Sequence, residues 1–465
     1  LRMNQPAKVW PLFTHSPDPR VRSYLIHRVS ALGADAGALA KQLDRESGLT
    51  IRRALVLSLG EYGETDFTPD ARNALLPTLH EMYRTASDPG LHAACEWLLW
   101  RWKQEAWLTK VNEEWASGQV AGGAWRLEGK GKVVPPPGTH HPSPGWYVNT
   151  QGQTMVVIPG PVEFVMGSPT TEAGRGGNET QHKTRIGRTF VLSAKPVTLG
   201  EYRKFEPRYG IGEFERWARS ADCPVIGTSW FQAVQYCNWL SKQEGLPQSE
   251  WCYEPVLDPK AWPLFAVSSV GLLHSPGGQG PLLALAGMYP ERLDAKYEGG
   301  MRLARNYLQR QGYRLPTEAE MEYAIRAGAV TARYYGETDE LLPKYAWYIK
   351  NAQDKTWPVG SMKPNDLGLF DALGNVWMWC QEKYKVYPEG NKAMDDTEDD
   401  SVVKSTDSRV LRGGSFNNQA SNLRSANRIS FVPSNRSISF SFRLVRTLRL
   451  GSFTALPPTA AGGRK

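Results

Sequence analysis

"RVLRGGSFNNQASNLRSANR", residues 409–428, is the stretch on which the reading of this chain turns. Two adjacent glycines mark a tight bend, because glycine reaches left-handed backbone without steric cost. A serine follows, then asparagines and arginines, and no cysteine. Three readings are open at this point: an active site, a binding surface, or only a well-folded loop.

The chain around it changes character twice. Residues 1–116 read as all helix. In "DPRVRSYLIHRVSALG" (18–33), Val21, Leu25, Ile26 and Val29 share one face. "LTIRRALVLSLGEYG" (49–63) repeats this with Ile51, Leu55, Val56 and Leu59, and "DPGLHAACEWLLWRW" (88–102) with Leu91, Cys95 and Leu98. Proline suits a helix start, since its missing N–H would be unsatisfied there anyway. The recurrence at about 30 and about 40 residues predicts stacked helix pairs similar to HEAT repeats, either as a protein-docking arm or as a spacer.

Residues 117–145, with "SGQVAGG" and "VVPPPGTHHPSPG", read as a Gly/Pro-rich linker. His140 and His141 there are expected to be solvated rather than metal-bound. Residues 146–447 form the third region, with short strands, many tryptophans and Gly/Asn turns. "TMVVIPGPVEFVMGS" (154–168) reads as a strand, a Pro-Gly turn and a second strand. "SWFQAVQYCNWLSKQEG" (229–245) is an amphipathic helix burying Trp230, Ala233, Val234, Cys237 and Leu240, with Gly245 as its C-cap. In "PTEAEMEYAIRAG" (316–328), Thr317 and Glu320 predict a capping box, with Met321, Ala324 and Ile325 inward. Residues 257–295 read as an insertion, and 448–465 as a disordered tail.

Composition narrows the function classes. A hydrophobic share of 41% and 17 tryptophans indicate packed cores. The net charge of +8 is spread along the chain, without a basic block interleaved with aromatics, so nucleic acid is not an expected partner. No apolar run reaches the ~18 residues of a membrane helix. The nearest, Trp262–Leu273, is too short. Five scattered cysteines offer no disulfide framework and no CxxC knuckle, which predicts reduced, mostly buried thiols and a cytoplasmic location. The first residue is Leu1 rather than Met, which leaves room for an upstream region.

Seven blocks occur in a telling order. They are "FVMGS" (164–168), "KPVTLGEYRKF" (195–205), "CPVIGTSWFQAVQYCNWLS" (223–241), "GYRLPTEAEMEYAIRAG" (312–328), "NDLGLFDALGNVWMW" (365–379), "RVLRGGSF" (409–416) and "FRLVR" (442–446). Together they resemble formylglycine-generating enzyme (sulfatase-modifying factor) domains. The resemblance implies an α+β, C-type-lectin-like fold with little regular structure, here behind a helical region. Similar bacterial chains sometimes carry a protein kinase upstream, which makes a signalling protein the expected context.

The resemblance also implies a chemistry that this chain has lost. Active members hold copper(I) on two cysteines placed just after the Gly-Gly-Ser bend and oxidise a sulfatase cysteine. Copper(I) favours few, soft thiolate ligands. Counted from Ser415, the first cysteine position falls on Asn418, and the second falls in the shortened segment at Asn422–Leu423. An amide oxygen is no substitute for a thiolate, so copper is not expected and no catalytic residue is assigned. The alternative is an active oxidoreductase using a displaced thiol such as Cys380 or Cys252. An iron site like that of ergothioneine-pathway enzymes is not expected, because the helical region lacks H-x3-H-x-E spacing.

Calcium is the one cofactor the resemblance leaves open, around the Asp371 side chain and the carbonyls of Gly374 and Val376. Met378 stands where the family has a further carboxylate, and Asp371 and Asn375 could instead satisfy turn amides. The acid run "DDTEDD" (395–400) lacks calcium-loop spacing and is expected to be a solvated loop. What remains is a polar surface for a protein or peptide ligand, with Trp377, Ser415, Asn417, Asn418, Asn422, Arg424 and Arg428 as its candidates. Retroelement-diversified binding proteins use this fold with asparagines in this region. Against it stand two plainer readings: the asparagines cap turns, and Arg424 and Arg428 pair with buried carboxylates.

Overall fold

The computed structural model describes residues 8–117, 126–128, 132–134, 145–210, 212–255, 301–388, 393–399 and 402–449. The insertion read at 257–295, most of the linker with its two histidines, and the tail beyond Arg449 lie outside the described residues.

Six helices fill the first region: α1 (Arg20–Arg28), α2 (Ala36–Arg45), α3 (Leu49–Leu59), α4 (Pro69–Thr85), α5 (Pro89–Arg101) and α6 (Glu105–Ala116). Their starts follow from local chemistry. Asp35 accepts from the amides of Gly37 and Ala38, Thr68 from Ala71, and Asp88 from Leu91. Pro69 and Pro89 each open a helix. Leu39, Leu55, Leu59, Leu79, Tyr83 and Leu98 form the centre of this core. Val21, expected inward, is 59% exposed. Helix α1 turns Arg22, Ile26 and His27 to the interior instead, because the Arg22 guanidinium donates to Phe13 O at 2.9 Å and to Asp366 at 2.7 Å. Ile26 and Val29 of the expected face are still buried, so the ion pair displaces Val21 rather than the whole stripe.

In the linker, β1 (Arg126–Glu128) pairs antiparallel with β2 (Lys132–Val134), a hairpin that the Gly/Pro composition had hidden. The third region then runs β3 (Trp146–Val148), β4 (Thr154–Ile158), β5 (Val162–Met166), β6 (His182–Ile186), β7 (Phe190–Ser193), α7 (Leu199–Phe205), α8 (Trp230–Gln243), β8 (Tyr253–Pro255), β9 (Met301–Leu303), α9 (Glu318–Arg326), β10 (Trp377–Lys383), β11 (Met394–Asp395), β12 (Val402–Val403), β13 (Arg409–Arg412), β14 (Arg428–Phe431), β15 (Phe440–Ser441) and β16 (Val445–Thr447). Two four-stranded sheets dominate, in the orders β16-β7-β4-β3 and β14-β13-β10-β15. The two strands read in 154–168 both form, but β4 joins β3 and β7 while β5 pairs with β6 in another sheet. The turn between them therefore crosses sheets.

Helix α8 has the expected face: Trp230, Ala233, Val234, Cys237 and Leu240 are all buried. Helix α9 carries the predicted box. Thr317 Oγ1 accepts from the Glu320 amide at 3.0 Å, and Glu320 Oε2 accepts from the Thr317 amide at 2.8 Å. Its first turns bury three glutamates, each meeting an arginine. Arg314 grips Glu320 through two bonds of 2.7 Å, and Arg188 adds a third at 2.6 Å. Arg412 reaches Glu318 at 2.9 Å and Glu322 at 2.8 Å. Arg428 reaches Glu318 at 2.7 Å. Arg412 and Arg428 face each other across β13 and β14, so Glu318 neutralises two like charges in one register position.

The acid run departs from its solvated reading. The carboxylates of Asp396 and Asp399 are 7% and 1% exposed. Asp396 pairs with Arg188 and accepts from Thr317 Oγ1, and Asp399 pairs with Arg409. Arg188 arrives from 208 positions away and Arg409 from 10, while Asp395, Thr397 and Glu398 stay exposed as expected.

The helical region is packed against the rest. Asp366 accepts from Arg22, from Arg53 at 3.0 Å and from His15 at 3.0 Å. Phe370 and Trp146 belong to the helical core, and the Trp146 ring stacks on His92 at 3.6 Å. Glu61 pairs with Lys344 at 2.9 Å and also with Lys363. The backbones nearly touch: a Cβ on Gly90 would lie 2.4 Å from Asp366 O, and one on Gly368 (φ +82°) 2.4 Å from Pro89 O.

The Glu320→Ala variant is expected to lose about 3–5 kcal/mol of unfolding free energy in urea titrations, because Arg314 would keep a buried, uncompensated charge. Removing the exposed Glu163 in the same way is expected to cost about 0–1 kcal/mol. Burial alone would push the Glu320 carboxyl up, but Arg188 and Arg314 outweigh it and hold it at about 2. Its contribution is present above the unfolded-state carboxyl range near 4.5 and is lost as pH falls towards 2. The acid limb of wild-type stability over that window should be flattened in Glu320→Gln.

Candidate functional site

The bend at 413–415 is built as the sequence demands. Gly413 and Gly414 take φ of +98° and +76°, which side chains rarely adopt. Gly413 O accepts from the Gly374 amide at 2.9 Å, locking the bend to the segment before β10. Ser415 is fully buried. Its amide donates to Asn418 Oδ1 at 2.9 Å, and its hydroxyl lies 2.7 Å from both Asn417 Oδ1 and Asn418 Oδ1. The asparagine that stands at the first copper-ligand position therefore caps the turn.

A ledge surrounds this cap. The carbonyl of Asn418 accepts from the Ile349 amide at 3.1 Å. Asn375 ties the ledge together. Its amide donates to Trp347 O at 2.8 Å, its Nδ2 to Trp357 O at 3.0 Å, and its carbonyl accepts from the Phe416 amide at 2.9 Å. The indoles of Trp347 and Trp357 stack with centroids 4.4 Å apart, and Lys355 Nζ lies 4.1 Å from the Trp357 centroid. Both rings are half-buried, while Asn417, Gln419 and Ile349 are exposed. Trp347, Ile349 and Trp357 escaped the sequence reading. Their one signal was a pair of tryptophans ten residues apart in the polar stretch "WYIKNAQDKTW".

The sequence candidates fall into two groups. Asn417, Asn418 and Asn422 reach the surface or lie near it. The other four are enclosed. Ser415 is capped, and Trp377 is buried in β10. Arg424 spends its guanidinium on Glu172 at 2.6 Å, on Glu179 at 2.7 Å twice, and on Ser421 O. Arg428 is held by Glu318, Asn178 O and Lys385 O, with Tyr387 3.9 Å beneath it. Four of the five N–H groups of each arginine are engaged inside the chain, as the pairing alternative expects. Asn427, also buried, donates to Asn422 O at 2.6 Å.

At the calcium candidates, the Asp371 carboxylate and the Gly374 carbonyl already face donors of the chain. Asp371 Oδ2 accepts from the Gly360 amide at 2.8 Å and Oδ1 from Asn375 Nδ2 at 3.1 Å. The carbonyl of Gly374 accepts from the Val376 amide at 2.7 Å. Burial pushes the Asp371 carboxyl up despite the Gly360 amide and Arg443. Among the described residues no group of three or more His, Cys, Asp or Glu side chains could hold a metal.

The five cysteines are all buried and unbridged. Burial pushes the Cys95 and Cys252 thiols up to about 12, and raises those of Cys237 and Cys380 as well. Cys380 Sγ faces Met378 O at 3.8 Å and Cys252 Sγ faces Gly312 O at 3.4 Å. Burial thus disfavours the thiolate form of Cys95, Cys237, Cys252 and Cys380.

Residues 146–448 match the family model described as Sulfatase-modifying factor enzyme 1-like domain. A formylglycine-generating enzyme of Streptomyces coelicolor is 35% identical over 167 residues, covering 32% of this chain and 51% of that enzyme. The chain thus spans about half the length of that relative. The chaperone protein LppX of Paenibacillus barcinonensis is 27% identical over 221 residues, 42% of this chain and 67% of LppX. The inactive C-alpha-formylglycine-generating enzyme 2 of Mus musculus is 27% identical over 280 residues, 58% of this chain and 76% of that protein. With the match extending over more than half of its length, the chain belongs to the sulfatase-modifying factor enzyme 1-like family.

Proposed function

We propose that this chain is a non-catalytic member of its family whose 415–428 surface binds a protein or peptide ligand. The observation that carries the reading is Asn418: it stands where active relatives place a copper-binding cysteine, and its side chain is committed to capping Ser415. The relatives named as an inactive enzyme and as a chaperone support a role without oxidation. The ledge suits recognition. Exposed Asn417 and Gln419 offer both donors and acceptors, and the Trp347–Trp357 stack offers a rigid apolar face beside them. The ligand surface therefore extends from the bend towards Trp357 rather than inward to Arg424 and Arg428. The helical region, read as HEAT-like, is then a second docking element in a bacterial cytoplasmic signalling protein, with a kinase upstream as the expected context. Copper has no place in this function.

Three measurements check the reading. Full-length protein mixed anaerobically with copper(I), then exposed to oxygen and a peptide containing CxPxR, is expected to leave the peptide mass unchanged. Tight stoichiometric copper uptake with peptide oxidation would establish the displaced-thiol alternative instead. In the same preparation, a chromogenic disulfide should titrate no thiol in the native state and five after unfolding. Separately, peptides selected from a displayed library on the full chain should lose about tenfold or more in affinity for Asn417→Ala/Gln419→Ala and for Trp357→Ala. Selected peptides indifferent to all of these changes would place recognition elsewhere.

A further inference from the structure

A second cavity lies where the helical region meets the family domain, away from the ledge. Its volume is about 790 Å³, in the range of sites that take small molecules or short peptide segments. One wall is α6, which presents Glu105, Thr109, Asn112 and Glu113 at helical spacing, with Trp100 of α5 at its edge. The opposite wall is the turn 150–154 between β3 and β4, together with α7.

The charge inside it is one-sided. Five carboxylates line the cavity, Glu96, Glu105, Glu113, Glu201 and Asp222, against two ammonium groups, Lys195 and Lys204. The two cations are already engaged: Lys195 pairs with Glu96, and Lys204 Nζ donates to Gln151 O at 3.3 Å. Glu201 is used by its own helix, accepting from the Thr198 amide at 2.8 Å. Glu105, Glu113 and Asp222 are exposed and enter no ion pair among the described residues. A further observation is independent of these rim charges. Glu96 is 6% exposed, and its Oε2 has no hydrogen-bond partner although its other oxygen is paired. A buried carboxylate oxygen without a donor costs free energy, and a cationic ligand would supply that donor. In a chain of net charge +8, this cleft concentrates negative potential.

We infer that this cleft is a binding site for an extended basic peptide segment, with arginine or lysine side chains directed at Glu96, Glu105, Glu113 and Asp222. The wall supplies what a peptide needs beyond charge. Thr109, Asn112 and Gln151 offer hydroxyl and amide groups to a backbone. Trp100, 38% exposed, offers a ring face for a guanidinium. Because both walls contribute, the site exists only while the helical region stays docked on the domain.

The test uses the full chain and a fluorescein-labelled alternating Arg-Lys hexapeptide, read by fluorescence anisotropy. One-site saturable binding that weakens as salt is raised is expected. The E105Q/E113Q/D222N variant should bind about tenfold more weakly, each exposed charge contributing modestly. The D44N/E81Q/E215Q variant removes three exposed carboxylates that do not line the cleft and should bind as wild type. Asn417→Ala/Gln419→Ala should also bind as wild type, which separates this site from the ledge. Equal weakening in both triple variants, dependence on Asn417 and Gln419, spermine matching the peptide in competition, or no saturable binding would each overturn the assignment.

Discussion

Three glutamates on one helix decide what else this fold can do. Glu318, Glu320 and Glu322 sit within α9, and the arginines they neutralise come from five places: Arg188 before β7, Arg314 before the helix, Arg326 at its end, Arg412 on β13 and Arg428 on β14. A buried guanidinium without a partner carries a desolvation cost of several kcal/mol. The helix cannot shift by a turn without stranding several charges together. Its capping box helps fix the register, since Glu320 serves the Thr317 amide and Arg314 at once. A domain with so little regular secondary structure holds its shape through such a network, and the Gly-Gly-Ser bend inherits that rigidity through β13.

That rigidity reaches the turn after the bend. In a copper enzyme the residues after the bend answer to the metal. Here Asn418 answers to the backbone: it takes the Ser415 amide and shares the Ser415 hydroxyl with Asn417. The Ser415 amide and hydroxyl are thus both satisfied within the turn. The same residue passes its carbonyl to Ile349, which couples the bend to the tryptophan ledge. The outcome is a preorganised surface, in which a ligand meets side chains already positioned and the ordering cost on binding is small.

The sequence disclosed those features whose cause is local. The capping residues of α8 and α9, the apolar stripe ending at Leu240 and the paired glycines each act within a few residues of themselves, and each was readable. What it hid depends on partners distant in the chain. Val21 looked inward because its neighbours were apolar, yet Arg22 claimed the interior for a carboxylate 344 positions away. Asp396 and Asp399 looked solvated because an acidic run usually is, until Arg188 and Arg409 reach them. The two strands in 154–168 looked like neighbours because a tight turn joins them. For Arg424 and Arg428, the plainer pairing alternative describes the geometry, and residue type alone could not choose. Trp347 and Trp357 were invisible as a site, since a stack arises only when Asn375 draws two loop segments together.

Of the contacts between the helical region and the rest, one loop carries the most. Residues 358–371 carry Lys363 to Glu61, Asp366 to Arg22 and Arg53, and Phe370 into the helical core, then pass directly to Asp371 and Asn375. Asp366 and Glu61 are both held well below the usual carboxylate range by these cations, in spite of burial. The carboxylates therefore stay charged across ordinary pH, whereas burial lowers the Lys363 ammonium to about 8, so its pair with Glu61 weakens as pH rises past that value. Burial of Phe370 and of Trp146 adds apolar free energy that a charge change would not touch. Since Asn375 also anchors the tryptophan ledge, the loop that fastens the helices is continuous with the one that shapes the proposed recognition surface. Separating the two regions should therefore disturb the ledge as well as the cleft, and the helical part is better understood as a structural wall of the domain than as a tethered arm.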